Sequence, residues 1–300
     1  QGKRQSGSSV KPSVYTFAID HLGMTPCTLV PNLPVTIETA NGTAWSPKEA
    51  GRVEYDGALH PLSWGLARSR NNYSAWIMKQ AKQPAAVADF IHNMGIRSFI
   101  DPVPALCVGS SESNVFELVS AFSTFANEGV YNEPIFVTRI EDRQGNVLAT
   151  FIPQSQDAIS EQTAYTMLTM LEGVVSGGTA GRLKWGYKLD GVEIGGKTGT
   201  SNKNRDAWFV AVAPKLVMGS WVGGEDQSVH LLSRGEGSVV ALPIVGDFLS
   251  KVYDDGRLGV GRTDRFVRPA EMPRYDCDDP DAMEERAFEL GIDEDDAFFD

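Results

Sequence analysis

Three short groups of side chains in this sequence could do chemistry at a carbonyl. The first is Ser8-Ser9-Val10-Lys11, a hydroxyl and an amine that share one face within a turn if the segment is helical. Serine is a weak nucleophile until a base takes its proton. Lysine serves as that base only when burial or a neighbouring cation brings its pKa down from about 10.4 toward neutrality. The second group is Ser69-Arg70-Asn71, a further hydroxyl and an amide in a break between two helical segments. The third is Lys197-Thr198-Gly199-Thr200, at the end of an extended run. Strand alternation puts Thr198 and Thr200 on one face, where their hydroxyls can bind a carboxylate beside the Lys197 charge, and Gly199 would let a substrate backbone approach closely. Taken singly, each group also has a bland reading: a solvated helix start, a loop tripeptide, a strand end with a chance lysine.

The elements that must hold these groups follow from periodicity. Val10, Val14, Phe17, Ala18 and Leu22 recur at helical spacing and Gly23 stops the run. Pro12 is tolerated only in the first turn, so the helix starts near Ser8, whose neighbours' free N–H groups could stabilise an oxyanion. Thr25–Tyr55 reads as loop with a short extended run at Val35–Glu38, and Leu62–Arg68, Tyr73–Lys82 and Pro84–Met94 read as helices. Asn114–Asn127 has an apolar face and an Asn114/Glu117 capping box. A hairpin about Gln144-Gly145-Asn146 and a helix over Glu161–Val175 come next. Val192–Lys197, Ala207–Ala213 and Leu216–Val222 then read as antiparallel strands, before a helix over Val239–Tyr253. Helices, then sheet, then helix predict an α+β layered fold.

Composition narrows the function. With 300 residues, 42% hydrophobic and 22% charged, the chain reads as an ordinary globular protein, which excludes coiled coil, collagen and wholesale disorder. The net charge is −12, but residues 276–300 hold 12 acids against the single base Arg286, leaving −1 for residues 1–275. A near-neutral body with an acidic end gathers no nucleic acid. Cys27, Cys107 and Cys277 are an odd count lying far apart, which argues against a disulfide framework and predicts free thiols. His21, His60, His92 and His230 show no ligand spacing and no GxSxG motif accompanies them, so neither a metal nor another cofactor is expected. No run of 18 apolar residues and no signal-peptide pattern is present.

Order binds the three groups together. Ser-x-x-Lys, a Ser-x-Asn element and Lys-Thr-Gly form the signature of penicillin-binding proteins and class A β-lactamases, and all three occur here in that order. Arg4-Gln5-Ser6-Gly7-Ser8-Ser9-Val10-Lys11-Pro12, Ala67-Arg68-Ser69-Arg70-Asn71, Phe125-Ala126-Asn127-Glu128-Gly129, Gly178-Thr179-Ala180, Gly196-Lys197-Thr198-Gly199-Thr200 and Asp206-Ala207-Trp208-Phe209-Val210 resemble the transpeptidase domain of bifunctional, class A penicillin-binding proteins. The resemblance spans about residues 1–253.

That resemblance implies the penicillin-binding, serine β-lactamase-like α+β fold: an antiparallel sheet flanked by helices, with a helical subdomain. It implies Ser8 as the acylated nucleophile, Lys11 as its base, and Ser69 and Asn71 as the proton-shuttling and substrate-holding pair. Lys197, Thr198, Gly199 and Thr200 would bind substrate, and the Ser8 and Thr200 backbone N–H groups would form the oxyanion hole. The implied activity is peptidoglycan D,D-transpeptidation: cleavage of D-Ala-D-Ala in a stem peptide and acyl transfer to an amine on a neighbouring strand, with β-lactams acylating the same serine. The implied setting is the outer face of the cytoplasmic membrane, the periplasm in a Gram-negative cell, in a parent protein with an upstream glycosyltransferase domain and a membrane anchor.

Departures from the family pattern leave alternatives. Ser6 stands where the family usually has proline, and the nucleophile is eighth in the chain, whereas the family builds at least one sheet strand before it. With the first strand or strands missing, sheet-edge backbone groups would lie exposed behind the site. A D,D-carboxypeptidase and a non-catalytic penicillin-recognising module therefore stay open. A β-lactamase would need a deacylating glutamate, for which Glu128 with Asn132 is the only pattern, and it straddles the Gly129 stop. The expected organisation is a transpeptidase domain over 1–256 and an acidic, disordered tail over 257–300, in which Met283–Ile292 could dock on a basic partner.

Overall fold

The computed structural model describes residues 2–39, 42–51 and 54–277. Helix α1 (Lys11–Leu22) follows a 3-10 turn, Gly7–Val10, and ends at Gly23 with φ of 67°. Every residue from Lys11 to Ala18 is buried, so α1 runs through the interior, as a helix with apolar atoms on several sides must. Helices α2 (Asn71–Ala81) and α4 (Glu161–Ser176) pack against it, and α3 (Val115–Ala126) lies against α4 and the sheet. The predicted capping box forms at α3: Glu117 N donates to Asn114 Oδ1 at 3.0 Å and Asn114 N donates to Glu117 Oε2 at 3.2 Å. The flanking helices predicted on either side of α2 form over Leu62–Ala67 and Pro84–Asn93.

The main sheet contains β1 (Gly195–Thr200), β2 (Asp206–Ala213) and β3 (Leu216–Gly223), antiparallel in that order. All of β2 is buried because both sheet faces are covered. On one face Gly195 lies under Leu171 of α4 and Gly219 under Val119 of α3. On the other, Ser220 Oγ donates to the carbonyl of Ala241 at 2.8 Å, just before α5 (Leu242–Asp254). No strand among the described residues pairs with the outer edge of β3, which borders a groove of about 1450 Å³ lined by Val115, Phe116, Val119, Val217 and Trp221. No helix of the described residues is long and apolar enough to cross a membrane.

Two expectations are overturned. Cys27 and Cys277 are joined in a disulfide with Cα atoms 4.8 Å apart and 250 residues between them, leaving Cys107 as a buried thiol. Separation along the chain misled because the fold returns the far end to the loop that follows α1. Nor does the body end at residue 256. The chain beyond it forms an irregular strap, where Lys215 pairs with Asp264 at 3.0 Å and Phe266 N donates to Glu193 Oε2 at 2.7 Å. Arg265 pairs with the same glutamate at 3.4 Å. The polar, proline-containing strap sequence is anchored by side chains instead of by helix or strand. Residues 278–300, and with them Met283–Ile292, lie outside the described residues.

Candidate active site

The turn bearing Ser8 is pressed onto the end of β1. Gly7 has φ of 51°, and a Cβ there would lie 2.7 Å from the Thr200 carbonyl oxygen, so only glycine fits. Its N–H donates to Gly109 O at 3.1 Å, and Ser6 N donates to Ser111 O at 3.1 Å. Upstream, Arg4 Nε meets Asp206 Oδ1 at 3.0 Å in a buried ion pair, and Trp208 Nε1 donates to Gln5 O at 2.9 Å. Ser201 and Trp221 also bond to the Asp206 carboxylate. The Asp206-Ala207-Trp208 stretch thus ties the nucleophile's turn to the sheet.

A cleft of about 870 Å³ opens above this junction. Ser8, Ser69, Asn71, Thr198 and Thr200 line it, while Lys11 and Lys197 are fully buried beneath. Lys11 Nζ donates to Ser69 O at 2.5 Å and Asn71 Oδ1 at 2.7 Å, and lies 3.4 Å from Ser69 Oγ. Lys197 Nζ donates to the same Ser69 hydroxyl at 2.8 Å and to Thr198 O at 2.9 Å. Two lysines from remote segments therefore converge on one hydroxyl. The Ser8 hydroxyl, half-buried at the cleft, has no hydrogen-bond partner among the described residues, so Lys11 is engaged by the Ser69–Asn71 turn in this resting arrangement.

Gly199 packs against the nucleophile-bearing turn. Lys197 and Gly199 share the strand face turned away from Thr198 and Thr200, and a Cβ at Gly199 would lie 3.0 Å from Ser6 O and 3.1 Å from Ser9 Cβ. The absent side chain admits the nucleophile-bearing turn.

Burial sets the charge of both amines. It brings Lys11 from 10.5 down to about 7; Glu49 opposes the fall and Arg70 adds to it. Lys197 is held well below its ordinary range, first by burial and then by the charge of Lys11. Two ammonium groups around one hydroxyl disfavour each other, so a neutral amine is available near neutral pH.

Sequence reasoning passed over three contributors. Thr179, from Gly178-Thr179-Ala180, shares a hydrogen bond with Thr198 through their Oγ1 atoms at 2.8 Å. Gly237 N donates to Thr200 Oγ1 at 3.1 Å. Glu49, from a segment read only as loop, accepts from Asn71 N at 3.0 Å and Asn72 N at 2.7 Å. Nothing in its local sequence marks that carboxylate, since the contact depends on how the loop folds back.

Comparison with known proteins bears on this geometry. The family described as the penicillin binding protein transpeptidase domain matches residues 1–248. The chain belongs to that family. It is 33% identical over 285 residues to penicillin-binding protein 1A of Rickettsia bellii, an alignment covering 85% of this chain and 34% of that protein. It is likewise 33% identical over 258 residues to penicillin-binding protein 1A of Neisseria meningitidis, covering 83% of this chain and 31% of the relative. The transpeptidase chain thus spans about a third of the length of these curated relatives. Its fold matches penicillin-binding protein 1A from Haemophilus influenzae with a TM-score of 0.77 at 24% identity, over 85% of this chain and 43% of that one. It matches PonA1 of Mycobacterium tuberculosis in complex with penicillin V with a TM-score of 0.70 at 24% identity, over 91% and 74% of the two chains.

Proposed function

We propose that this chain is the acyl-transfer unit of a peptidoglycan D,D-transpeptidase acting through an acyl-serine, and that β-lactams acylate the same serine. The observation that carries the reading is the convergence of two buried amines on the Ser69 hydroxyl beside the Ser8 turn. In the proposed cycle neutral Lys11 takes the Ser8 proton as Oγ attacks the carbonyl carbon of the penultimate D-Ala. Backbone N–H groups of Ser8 and Thr200 bear the developing oxyanion. The proton then passes from Lys11 through Ser69 to the nitrogen of the departing D-Ala, leaving the Ser8 ester. An incoming amine attacks that ester, gives up a proton by the reverse route, and Ser8 leaves with its hydroxyl restored.

Thr198 and Thr200, with Lys197 behind them, would receive the terminal carboxylate. A bound carboxylate favours the ammonium form of Lys197, so occupation of the site reverses part of the effect of burial. The disulfide supports work in an oxidising compartment outside the cytoplasm. The length of the relatives supports a parent protein with an upstream glycosyltransferase domain and an anchor at the outer face of the cytoplasmic membrane. The β-lactamase alternative is disfavoured, since Glu128 is exposed in the turn after α3 and does not line the cleft.

The test is intact mass after incubation with benzylpenicillin, for the chain and for Ser8→Ala. A stable adduct on the parent alone is expected; an adduct on both would remove Ser8 from the role. A donor stem peptide with an amine acceptor then separates transfer from hydrolysis, and release of D-Ala with no transfer product would favour a D,D-carboxypeptidase.

A further inference from the structure

Glu49 makes no hydrogen bond to Ser8, Lys11 or Ser69 among the described residues, yet the segment around it forms one wall of the cleft. Its side chain is only 8% exposed, and its two oxygens accept from the first two N–H groups of α2, Asn71 N at 3.0 Å and Asn72 N at 2.7 Å. A carboxylate at the start of a helix satisfies donors that have no partner within the helix and meets the positive end of its dipole. The neighbouring carbonyl of Lys48 accepts from Asn71 Nδ2 at 2.6 Å. That bond fixes the amide's orientation, so that its other end, Oδ1, accepts from Lys11 Nζ at 2.7 Å. Lys48 and Glu49 thus hold the Ser69–Asn71 turn from the side opposite Lys11.

We propose that Glu49 is a positioning residue for acyl transfer, clamping the amino end of α2 so that Asn71 faces Lys11 and adding a fixed negative charge behind that contact. The proposal rests on the reading of Lys11 as the base. The groups that face Lys11 are Glu49, Arg70 and Cys107, with Lys197 across Ser69. Of these Arg70 and Lys197 disfavour its ammonium, while Cys107 is a thiol pushed up to about 12 by burial and so uncharged near neutral pH. Glu49 is therefore the only one of the four that supplies negative charge there. Without it the base would stay neutral into more acid solution, but would be held less firmly by Asn71.

The experiment is a titration of the Lys11 Cε resonance in lysine-labelled chain, for the parent, Glu49→Gln and Glu49→Asp. Gln keeps the size and one acceptor oxygen, so one of the two N–H groups stays capped, the other loses its acceptor, and the charge is lost. The midpoint is expected to fall by about one pH unit in Glu49→Gln, as for loss of one opposite charge at this range, and to return most of the way in Glu49→Asp. A midpoint that stays or rises in Glu49→Gln overturns the proposal, and so does a fall of equal size in Glu49→Asp. Acylation of Ser8 by benzylpenicillin, followed in the same samples, tests the functional reading separately. A parent chain that is never acylated refutes that reading, while the titration still decides the role of Glu49.

Discussion

Lys11 gives the sharpest test of the proposed site, because its burial makes opposite demands on activity and stability. With a folded value of about 7, its neutral form is about a tenth of the protein at pH 6, half at pH 7 and nine-tenths at pH 8. The acylation rate constant should therefore rise about tenfold from about pH 6 to about pH 8, following the free base. Stability runs on the same proton. The unfolded chain keeps its lysine charged up to 10.5 while the folded protein releases it near 7, so between those values the unfolded state binds more protons and stability rises with pH. Below about 7 the fold bears the full penalty, on the order of 5 kcal/mol.

Lys11→Met removes the titration and should abolish acylation. The variant's stability advantage should shrink by about 1.4 kcal/mol for each pH unit between about 7.5 and 9.5. Hydrogen bonds lost with the amine subtract an offset that hardly varies with pH, which is why the slope is the readout. Urea unfolding of both proteins at three pH values, beside a benzylpenicillin time course, supplies the measurements. A stability gap that does not change with pH, or an acylation rate flat from about pH 6 to 8, refutes the assignment of a titrating base at Lys11.

Gly7→Ala should slow acylation by about a hundredfold or more, since the new Cβ displaces the nucleophile's turn from Thr200 and the backbone sits in a left-handed region; an unchanged mass-spectrometric time course would contradict the packing argument. Asp206→Ala leaves the buried Arg4 guanidinium without its carboxylate and should destabilise the fold by about 3–5 kcal/mol, read by denaturant unfolding. Replacing Asp206 and Arg4 together by apolar residues should recover much of that loss. Cys277→Ser should lower stability by about 3–5 kcal/mol, as for a crosslink across 250 residues, while leaving the pH profile of acylation in place because the disulfide joins no cleft residue.

Much of this architecture was legible in the sequence, for local reasons. Gly23, Pro12 and the Asn114/Glu117 box mark helix ends through their own backbone chemistry, and the helices form there. The three strands of the main sheet were legible because short apolar runs separated by tight turns have few other solutions. What stayed hidden depends on contacts between remote segments. The partner of Cys27, the hold of Glu193 on the strap and the reach of Glu49 to α2 each join residues whose own neighbourhoods carry no signal. Gly199 is a different case, because alternation correctly separated it from Thr198 and Thr200 but could not say which face met Ser6 and Ser9.

The Ser69 hydroxyl shows how the assembled pieces give a direction to proton movement. A hydroxyl has one hydrogen and two acceptor positions, and here Lys197 at 2.8 Å and Lys11 at 3.4 Å both approach its oxygen as donors. A neutral amine can accept the Ser69 hydrogen, and when both amines donate to the oxygen that hydrogen is free to turn toward the cleft that Ser69 lines. That is where a departing amine must collect its proton. The backbone holds the geometry at some expense: Ser69 has φ of 56°, a conformation unfavourable for a residue with a side chain. It is retained by Ser69 N donating to Leu66 O at 3.0 Å and Arg70 N to Gly65 O at 2.9 Å, with the Arg70 side chain tied to Asn32 Oδ1 at 2.7 Å. The strain and the two buried amines bear on one hydroxyl, so changes at either remote lysine should act on the same proton-transfer step.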